Sequence, residues 1–372
     1  MIKVLHFYKT YHPDTQGGIE QVIYQLARGG AKYGVESTVL SLSESADDNA
    51  LQMDGHLAYR AKTNFKIAST PFSISCFKKF AALANDADVI HYQYPWPFMD
   101  VVHFSSRVKK PTVVSYQSDI IRQKNLLRVY RPLKQRFLAD VDRIVASSPN
   151  YLATSDVLKQ FPSKTRVIPI GLDKASYPVP VQERLDYWKA QFSGRFFLFV
   201  GVLRYYKGLH ILLEAAKGID CTIVIVGAGP IEVELKQQAE QLGLSNIHFL
   251  GQLPDTDKVA LLTLCYGVVF PSHLRSEAFG ISLLEGAMYG KPLISSEIGT
   301  GTTFINIADE TGLVVPPSDP DALQKAMRYL LEHPEEAAEM GERAEARYWK
   351  YFTAGKMVKS YVSLYSELLG RQ

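Results

Sequence analysis

Cysteine is scarce in this sequence of 372 residues, which contains only Cys76, Cys221 and Cys265, and no two of them form a C-x-x-C pair. Widely spaced cysteines among apolar neighbours are typical of buried thiols in a reducing compartment. The pattern argues against disulfides and against metal ligation by cysteine.

Long apolar runs are also lacking. No uninterrupted apolar stretch approaches the roughly 20 residues that a membrane-spanning helix requires. Residues 1–8 lead directly into a strand-like stretch, without the basic region, apolar core and cleavage site of a signal peptide. We therefore expect a mature cytoplasmic protein that starts at Met1 and does not cross a membrane. Low-complexity tracts and short-period repeats are absent as well.

The charge is distributed unevenly. Residues 1–180 carry 23 Lys and Arg against 15 Asp and Glu, whereas residues 181–372 carry 18 against 23. A basic half suggests an anionic ligand, such as a lipid headgroup, a phosphate or nucleic acid. Within residues 122–136 the basic side chains are interleaved with apolar ones, and both membrane-surface contact and simple solvation are compatible with that pattern. The basic residues of this stretch are Arg122, Lys124, Arg128, Arg131, Lys134 and Arg136.

The length of the chain exceeds what one hydrophobic core usually serves, so we expect two domains. Short apolar runs alternate with longer amphipathic stretches in both halves, as in parallel sheets whose strands are joined by helices. In the first half the pattern predicts strands at residues 4–8, 36–41, 88–92, 112–116, 143–146 and 165–168, and helices at 18–33, 77–85 and 126–141. In the second half it predicts strands at 196–200, 222–226, 247–249, 266–270, 292–295 and 312–315, and helices at 208–216, 232–243, 257–264, 282–289, 320–331, 334–351 and 354–369.

The predicted fold class is α/β, with a Rossmann-like, doubly wound sheet in each domain. Residues 169–173 lead into Pro178 and Pro180, a plausible linker, which places the boundary near residue 178. The domains are then 1–178 and 179–353. Ligands of open α/β sheets bind outside the carboxyl ends of the strands, so two facing sheets would enclose a cleft.

The most informative segment is PSHLRSEAFGISLLEG, at residues 271–286. Gly280 would allow a close backbone approach to a ligand, and a helix beginning near Ile281 would direct unpaired N–H groups at a phosphate. Glu285 would lie one turn into this helix and Glu277 on the loop before it, so that both could accept hydrogen bonds from ligand hydroxyls. The alternative is that Glu277 caps the helix and Glu285 is solvated.

These residues resemble the family 4 glycosyltransferases, whose E-x7-E signature is matched by Glu277 and Glu285 around an intact S-E-A-F-G core. Further motifs follow the family's order along essentially the whole chain, and together they are specific although each alone is weak. They are GG at 17–18, YQSD at 116–119, GVLRYYKG at 201–208, VGAGP at 226–230 and TGLVV at 311–315.

The resemblance implies the GT-B fold, in which two Rossmann-like domains face each other across a cleft. The N-terminal domain, residues 1–178, would bind the acceptor, and residues 179–353 would bind a nucleotide-sugar donor. The aromatic, amphipathic residues 354–372 would form a crossover helix that packs back onto the first domain, although their spacing is equally compatible with packing on their own domain.

The resemblance also implies roles for individual donor-side residues. Glu277 would hold hydroxyls of the donor sugar and Glu285 the ribose, and neither is implied to be a nucleophile. Lys207 would neutralise the departing diphosphate in place of a metal ion, so no metal or other cofactor is expected. Where the family usually has an Arg five residues before this Lys, the chain has Val202, and Arg204 either supplies that charge or is a plain surface residue.

The glycine motifs are open to two interpretations. Gly17 and Gly18 could form a phosphate or acceptor loop or an ordinary turn, and the resemblance favours the loop. Gly227 and Gly229 could bring the backbone close to the nucleotide or form a tight turn. Residues 299–303 are a further candidate phosphate loop. The expected donor-binding residues are Gly17, Gly18, Arg204, Lys207, Gly227, Gly229, Glu277, Ala278, Phe279, Gly280, Ile281 and Glu285.

The chain departs from the family at Gln117 and Gln93, where related enzymes commonly carry His. A glutamine accepts no proton, but retaining transfer in this fold is usually drawn with the leaving phosphate as the proton acceptor. Gln117 could then hydrogen-bond a sugar hydroxyl, while Asp119 orients the acceptor or caps a helix. His91 and His103 are expected to be structural. The expected catalytic residues are Glu277, Lys207, Asp119 and Gln117.

The sequence thus predicts a retaining hexosyltransferase. The resemblance favours mannose from GDP-mannose and a lipid-linked or oligosaccharide acceptor in O-antigen lipopolysaccharide biosynthesis. Peripheral contact at the inner face of the plasma membrane would fit the basic stretch, and no nucleic acid partner is expected. The alternatives are a UDP-sugar-dependent transferase, a sugar-nucleotide epimerase and a non-catalytic nucleotide-sugar-binding subunit.

Overall fold

The computed structural model describes residues 1–15, 17–46, 49–67, 70–119 and 124–371, with residues 124–127 described by their backbone alone. The chain divides into two compact units. Unit 1 combines Met1–Gly171 with the segment from Ala354 onward, and unit 2 is Leu172–Thr353.

The division between the units falls at Gly171 and Leu172, earlier than the predicted residue 178. Leu172 belongs to unit 2 because its backbone N–H donates to the Phe352 carbonyl at 2.8 Å and its own carbonyl accepts from the Tyr348 hydroxyl at 3.0 Å. From Leu172 onward, the predicted linker therefore belongs to unit 2.

Unit 1 alternates strands and helices in the described part of the chain. The strands are β1 (Ile2–Phe7), β2 (Val35–Ser43), β3 (Leu51–Met53), β4 (His56–Lys62), β5 (Phe65–Ile67), β6 (Thr70–Phe72), β7 (Val89–Tyr94), β8 (Thr112–Tyr116), β9 (Arg143–Ala146) and β10 (Thr165–Val167). The helices are α1 (Gly18–Gly30), α2 (Ile74–Asp86), α3 (Pro97–Ser105), α4 (Lys124–Asp140) and α5 (Pro149–Thr154).

The main sheet of unit 1 has the order β10-β9-β8-β7-β1-β2-β4-β3, and only the β3–β4 pairing is antiparallel. β1, β7 and β8 are almost completely buried, as parallel strands covered on both faces are. The strands from β3 to β6 and the helices α3 and α5 were not predicted. β4 has the sequence HLAYRAK, in which no continuous apolar run marks a strand.

Unit 2 confirms all six predicted strands within one or two residues at each end. They are β11 (Phe196–Val200), β12 (Thr222–Val226), β13 (Ile247–Gly251), β14 (Gly267–Phe270), β15 (Leu293–Ser296) and β16 (Gly312–Val315). The helices are α6 (Gln182–Gln191), α7 (Leu209–Ala215), α8 (Glu232–Gln241), α9 (Asp255–Leu264), α10 (Ile281–Met288), α11 (Thr302–Ile305), α12 (Pro320–Glu332) and α13 (Pro334–Tyr351).

Two of these helices, α6 and α11, were not predicted. α6 lacks an apolar face, and its buried side chain, Trp188, is anchored by an Nε1–H bond of 2.8 Å to the Asp257 carboxylate. That contact joins residues far apart in the chain, so no local pattern signals it.

The sheet of unit 2 has the order β13-β12-β11-β14-β15-β16, with every pairing parallel. The strand order reverses between β11 and β14, so the connections after these two neighbours run to opposite sides. Such a reversal opens a crevice at the carboxyl ends of the strands, where α/β sheets bind ligands.

The last helix, α14 (Ala354–Leu368), belongs to unit 1. It packs against α1, where Val358 lies so close to Gly29 that a Cβ on the glycine would approach Val358 Cγ2 to 2.7 Å. Tyr361 and Tyr365 of α14 are buried.

The three cysteines are buried free thiols, and burial raises the pKa of Cys76 and of Cys265 to about 12. Among the helices formed by the described residues, none combines the length and the apolar character that crossing a membrane demands.

Candidate functional site

The loop between β14 and α10 has the predicted layout. Glu277 lies on the loop and Glu285 lies one turn into the helix. Gly280 precedes the helix with a left-handed φ of 101°, and a Cβ there would approach the Phe270 ring to 3.2 Å. No side chain caps the N-terminus of α10, so the idea that Glu277 caps this helix is wrong.

Glu277 instead forms an ion pair with Lys207, and both residues are buried. The Ser272 hydroxyl donates to the same carboxylate oxygen at 3.3 Å. Lys207 Nζ also lies 4.7 Å from the centre of the Phe270 ring. Because β11 and β14 are neighbours, the loops that follow them bring these two opposite charges together.

Gly208 makes this approach of the two loops possible. It follows a 3-10 turn at Tyr205–Lys207 and has a φ of 72°. A Cβ at this position would lie 2.0 Å from the Pro271 carbonyl oxygen, so only glycine fits between the loops.

Glu285 is buried in α10, so the alternative of a solvated surface residue is wrong. Its Oε1 accepts hydrogen bonds from the Tyr177 hydroxyl at 2.9 Å and from Lys258 Nζ at 3.1 Å. Burial opposes the charge of Lys258, but Glu285 and Asp255 outweigh it and raise the pKa of the lysine. Burial and the Glu285 carboxylate together raise the pKa of Tyr177.

Tyr177, Lys258 and Ser272 were missed by sequence reasoning. Ser272 had a usable signal, because it directly follows β14 on the ligand loop. Tyr177 belongs to the segment that was predicted to be a linker, and Lys258 is one of several charged residues near the start of α9. Only the folded chain brings both to Glu285.

The glycines after β12 pack against the loop after β11. Gly227 has a φ of 134°, and a Cβ there would lie 2.0 Å from the Gly201 carbonyl oxygen. A Cβ on Gly229 would lie 2.3 Å from the Leu203 carbonyl oxygen. Chain packing alone therefore requires glycine at both positions, and nucleotide contact by Gly227 and Gly229 stays a prediction.

The remaining donor-side residues surround the same loops. Arg204 is exposed, and its backbone carbonyl accepts from the Lys207 N–H at 2.9 Å. The Ala278 carbonyl accepts from the Gly301 N–H at 2.8 Å, which ties the predicted second phosphate loop to the E-x7-E segment. Phe279 is buried, and Ile281 is partly exposed at the start of α10.

In unit 1, Gly17 and Gly18 lie between β1 and α1 as predicted, with Gly17 as the N-cap residue and Gly18 as the first helical residue. Both are exposed. The carboxylate of Glu20 accepts from the hydroxyls of Thr10 at 2.8 Å and Thr15 at 2.9 Å, which holds the preceding loop. Sequence reasoning missed this role of Glu20.

Gln117 and Asp119 follow β8 at the carboxyl edge of the sheet. The Asp119 carboxylate accepts from the hydroxyls of Tyr116 and Ser155, both at 2.9 Å. The described part of α4 begins at Lys124, and residues 120–123 lie outside the described residues, so a capping role of Asp119 stays a prediction. Gln117 Nε2 donates to Oε1 of the buried Gln93 at 2.8 Å, so the two glutamines that depart from the family pattern are bonded to each other.

The two histidines that were expected to be structural are buried, and each forms a side-chain hydrogen bond. His91 contacts the Tyr365 hydroxyl and His103 contacts the Tyr92 hydroxyl. Among the described residues, no group of three or more His, Cys, Asp or Glu is arranged to hold a metal ion.

Comparison with known proteins identifies the chain. A family model described as Glycosyltransferase Family 4 matches residues 16–176, and one described as Glycosyl transferases group 1 matches residues 188–347. A D-rhamnosyltransferase, WbpZ of Pseudomonas aeruginosa, is 62% identical over 95% of this chain and 93% of that protein. The chain is a family 4 glycosyltransferase.

The glycosyltransferase is also 51% identical to the O-antigen chain mannosyltransferase C of Escherichia coli, over 99% of each protein. The family and its relatives make it an enzyme of the hexosyltransferase class. Sucrose-phosphate synthase from Thermosynechococcus elongatus has a similar structure, with a TM-score of 0.81 at 20% identity over all of both chains. HepE of Anabaena, in complex with UDP and glucose, gives 0.78 at 22% identity over 98% of this chain and 100% of that chain. These likenesses show that the glycosyltransferase has the GT-B fold.

Proposed function

We propose that this glycosyltransferase moves a hexose from a nucleotide diphosphate sugar to a hydroxyl of a lipid-linked or oligosaccharide acceptor, with retention of configuration. The observation that carries the proposal is the buried pair of Lys207 and Glu277 at the strand-order reversal of unit 2. The relatives named D-rhamnosyltransferase and O-antigen chain mannosyltransferase support a role in O-antigen assembly.

In the proposed donor complex, the diphosphate competes with Glu277 for Lys207. An ammonium has three N–H donors, so Lys207 can bind a phosphate oxygen while it keeps one contact to the carboxylate. The uncapped N–H groups of α10 add positive potential beside the same phosphate. Glu277 then accepts hydrogen bonds from hydroxyls of the donor sugar.

Glu285 is proposed to hold the ribose of the nucleotide. Its Oε1 is already shared between Tyr177 and Lys258. A carboxylate has about four acceptor sites, so Oε2 can receive ribose hydroxyls without loss of either contact. The two existing bonds would fix the orientation of the carboxylate before the donor arrives.

The proposed reaction is a front-face displacement. The bond between the anomeric carbon and the leaving phosphate oxygen breaks, and the acceptor oxygen bonds to the same face of that carbon. The acceptor proton passes to the leaving phosphate, so no protein base is needed. Lys207 and the α10 N-terminus stabilise the charge on the leaving diphosphate, and for that reason we propose that no metal cofactor takes part.

The acceptor is proposed to bind at Gln117 and Asp119 of unit 1. Gln117 would hydrogen-bond a hydroxyl of the acceptor sugar. Asp119, whose carboxylate is held by the hydroxyls of Tyr116 and Ser155, would orient the attacking hydroxyl.

The preferred donor in this proposal is GDP-mannose, and the 62% identical D-rhamnosyltransferase favours D-rhamnose on the same nucleotide as a second candidate. D-rhamnose is mannose without the hydroxyl at C6. A site that hydrogen-bonds this hydroxyl would reject D-rhamnose by roughly 10⁴-fold, whereas an apolar site would reject mannose by only about 10²-fold. The ratio of the transfer rates with the mannose donor and the D-rhamnose donor therefore identifies the natural sugar.

The test is a panel of nucleotide sugars that includes GDP-mannose, GDP-D-rhamnose and UDP-glucose. Release of the nucleoside diphosphate is measured with water alone and with octyl α-D-mannoside as acceptor, and product configuration is determined by NMR. We expect Lys207→Ala and Glu277→Ala to abolish turnover, whereas the control Lys217→Ala changes an exposed lysine of the same unit. If one donor stabilises the fold and none is turned over, the proposed transfer is wrong and a binding role remains.

We also propose that α4 contacts an anionic membrane at the inner face of the plasma membrane. Arg122 and the side chains of Lys124, Leu126 and Leu127 lie outside the described residues. In the described part, Arg128 and Arg131 are exposed, Val129 between them is exposed as well, and Phe137 is buried. The exposed side of the helix thus combines cations with an apolar side chain.

A further inference from the structure

Polar side chains occupy one face of the central strands of unit 1. β7 and β8 pair in parallel with Gln93 opposite Ser115, and His91 lies two residues before Gln93 on the same face. All three are buried. Parallel strands covered on both faces are normally apolar, so a buried polar row requires a specific reason.

The row is joined by hydrogen bonds around the His91 ring. Ser115 Oγ lies 2.7 Å from His91 Nε2, Gln93 Nε2 lies 3.3 Å from the same nitrogen, and the Tyr365 hydroxyl lies 2.7 Å from Nδ1. The Tyr361 hydroxyl lies 2.7 Å from Ser115 Oγ. These hydrogen bonds therefore connect α14 with the end of the sheet at which the acceptor is proposed to bind.

The chemistry of His91 sets the direction of these bonds. Burial, and then the neighbouring His6, lower the pKa of His91 well below its ordinary value, so the ring is neutral. The amide nitrogen of Gln93 can only donate, so Nε2 is the acceptor nitrogen and Nδ1 carries the proton, which points at Tyr365. The Gln93 carbonyl oxygen then faces the other way, toward Gln117.

Gln117 is the end of the row. Its Nε2 donates to Gln93 Oε1 at 2.8 Å, and the residue is half-buried. Within the described part of the chain, the Gln117 carbonyl oxygen Oε1 has no hydrogen-bond partner. An unrestrained glutamine amide rotates between two nearly equivalent orientations that exchange its oxygen and its nitrogen. The bond to Gln93 selects one of the two.

We propose that Gln93 is a positioning residue, which holds the Gln117 carboxamide so that its carbonyl oxygen accepts a hydrogen bond from a hydroxyl of the acceptor sugar. This inference rests on the proposed function, in which Gln117 contacts the acceptor. It adds that Gln117 acts as a hydrogen-bond acceptor and that a buried residue on the neighbouring strand imposes this. A hydrogen-bonding group that already has the correct orientation before the acceptor binds favours the productive geometry.

The test compares two variants of adjacent residues on β7. Gln93→Met keeps the length of the side chain and removes the bond to Gln117. Tyr92→Phe is the matched control, because Tyr92 lies on the opposite face of the strand and its hydroxyl makes one buried hydrogen bond to His103 Nδ1 at 2.8 Å. Gln93→Met loses the bonds to His91 and Gln117, and Tyr92→Phe loses the bond to His103. Only the first variant should release Gln117.

The orientation itself is measured by NMR on protein with 15N-labelled glutamine, in which the Gln117 side-chain amide signal is assigned by its loss in Gln117→Ala. We expect one protected Gln117 amide proton in the unmodified chain and in Tyr92→Phe. In Gln93→Met its exchange should accelerate by roughly tenfold or more, because a hydrogen-bonded amide becomes free. Equal exchange rates in all three proteins would overturn the proposal.

The consequence is measured as transfer from GDP-mannose to octyl α-D-mannoside against hydrolysis of the same donor by water. We expect Gln93→Met to raise the KM for the acceptor by roughly two- to tenfold, the effect of one misplaced hydrogen bond. The donor KM and the hydrolysis rate should be unchanged. The proposal is wrong if Tyr92→Phe raises the acceptor KM equally, or if Gln93→Met alters the donor and acceptor KM together. If the unmodified chain does not hydrolyse any donor, the proposed function fails instead, and the NMR result still decides the orientation of Gln117.

Discussion

Lys207 and Glu277 form a buried ion pair that joins the loops after two neighbouring strands of unit 2, although 70 residues separate them in the chain. Each side chain is the principal counter-charge of the other. Because both residues are also the proposed contacts to the donor, the same pair links the stability of the loops to donor binding and sugar transfer.

Loss of one partner should therefore be costly. We expect Lys207→Met to lower the free energy of unfolding by about 3–5 kcal/mol, since it leaves a buried carboxylate unpaired. Replacement of both partners, by Lys207→Met with Glu277→Leu, should cost less than the single change. Urea denaturation measures both. The control Lys217→Met breaks the exposed pair with Glu214 and should cost less than about 1 kcal/mol. Additive losses in the double variant would contradict this expectation.

Gly227 should tolerate alanine poorly. Its φ of 134° is unfavourable for any other residue, and a Cβ would also lie 2.0 Å from the Gly201 carbonyl oxygen. Gly243 offers a matched control, because its φ is 64° and nothing lies within 4 Å of a Cβ there. We expect Gly243→Ala to cost about 1 kcal/mol and Gly227→Ala clearly more, as measured by thermal unfolding. Equal losses would show that the loops after β11 and β12 separate easily.

His6 should make the fold sensitive to acid. Burial lowers its pKa from 6.5 to about 3 in the folded chain. Between these values the unfolded chain binds a proton that the folded chain does not, so stability falls as the pH falls below 6.5. Each pH unit in this window costs about 1.4 kcal/mol. We expect His6→Gln to reduce the loss of stability between pH 7 and pH 5 by roughly 2 kcal/mol. Urea titrations at the two pH values measure the loss, and an unchanged loss would contradict the assignment.

The membrane proposal is tested through the exposed cations of α4. We expect Arg128→Ala, Arg131→Ala and Arg136→Ala together to weaken binding to vesicles of phosphatidylglycerol by about 1 kcal/mol per charge at low salt. Lys32, Lys62 and Lys159 are exposed cations elsewhere in unit 1, and their combined replacement by alanine is the control for net charge. Co-sedimentation measures both variants. Equal weakening would mean that total charge, and not α4, governs the attraction.

Local patterns predicted most of the fold. All six strands of unit 2 were confirmed, because a buried parallel strand is a short apolar run that stands out in the sequence. β3, β5 and β6 were missed because each has only three residues, and β4 was missed because it mixes polar with apolar residues. The helix α6 was missed because its stability depends on Trp188 and its bond to Asp257, not on an apolar face.

The candidate site was likewise predicted only in part from the sequence. The position of Glu277 on a loop and of Glu285 within the helix followed from the spacing around Gly280. The partners of these residues did not, because Tyr177, Lys258 and Lys207 come from distant segments. Their encounter depends on strand order, which no local pattern encodes.

The two doubly wound sheets, the ligand loop after β14 and the family could all be predicted from the sequence, because short apolar runs and short motifs mark them. The pairing of the charges and amides, in contrast, depends on how the chain folds. Folding joins Lys207 to Glu277, and Gln117 to Gln93, at the ends of neighbouring strands. Hydrogen bonds and close ion pairs need a separation of about 3 Å, so packing and not order in the sequence selects their partners.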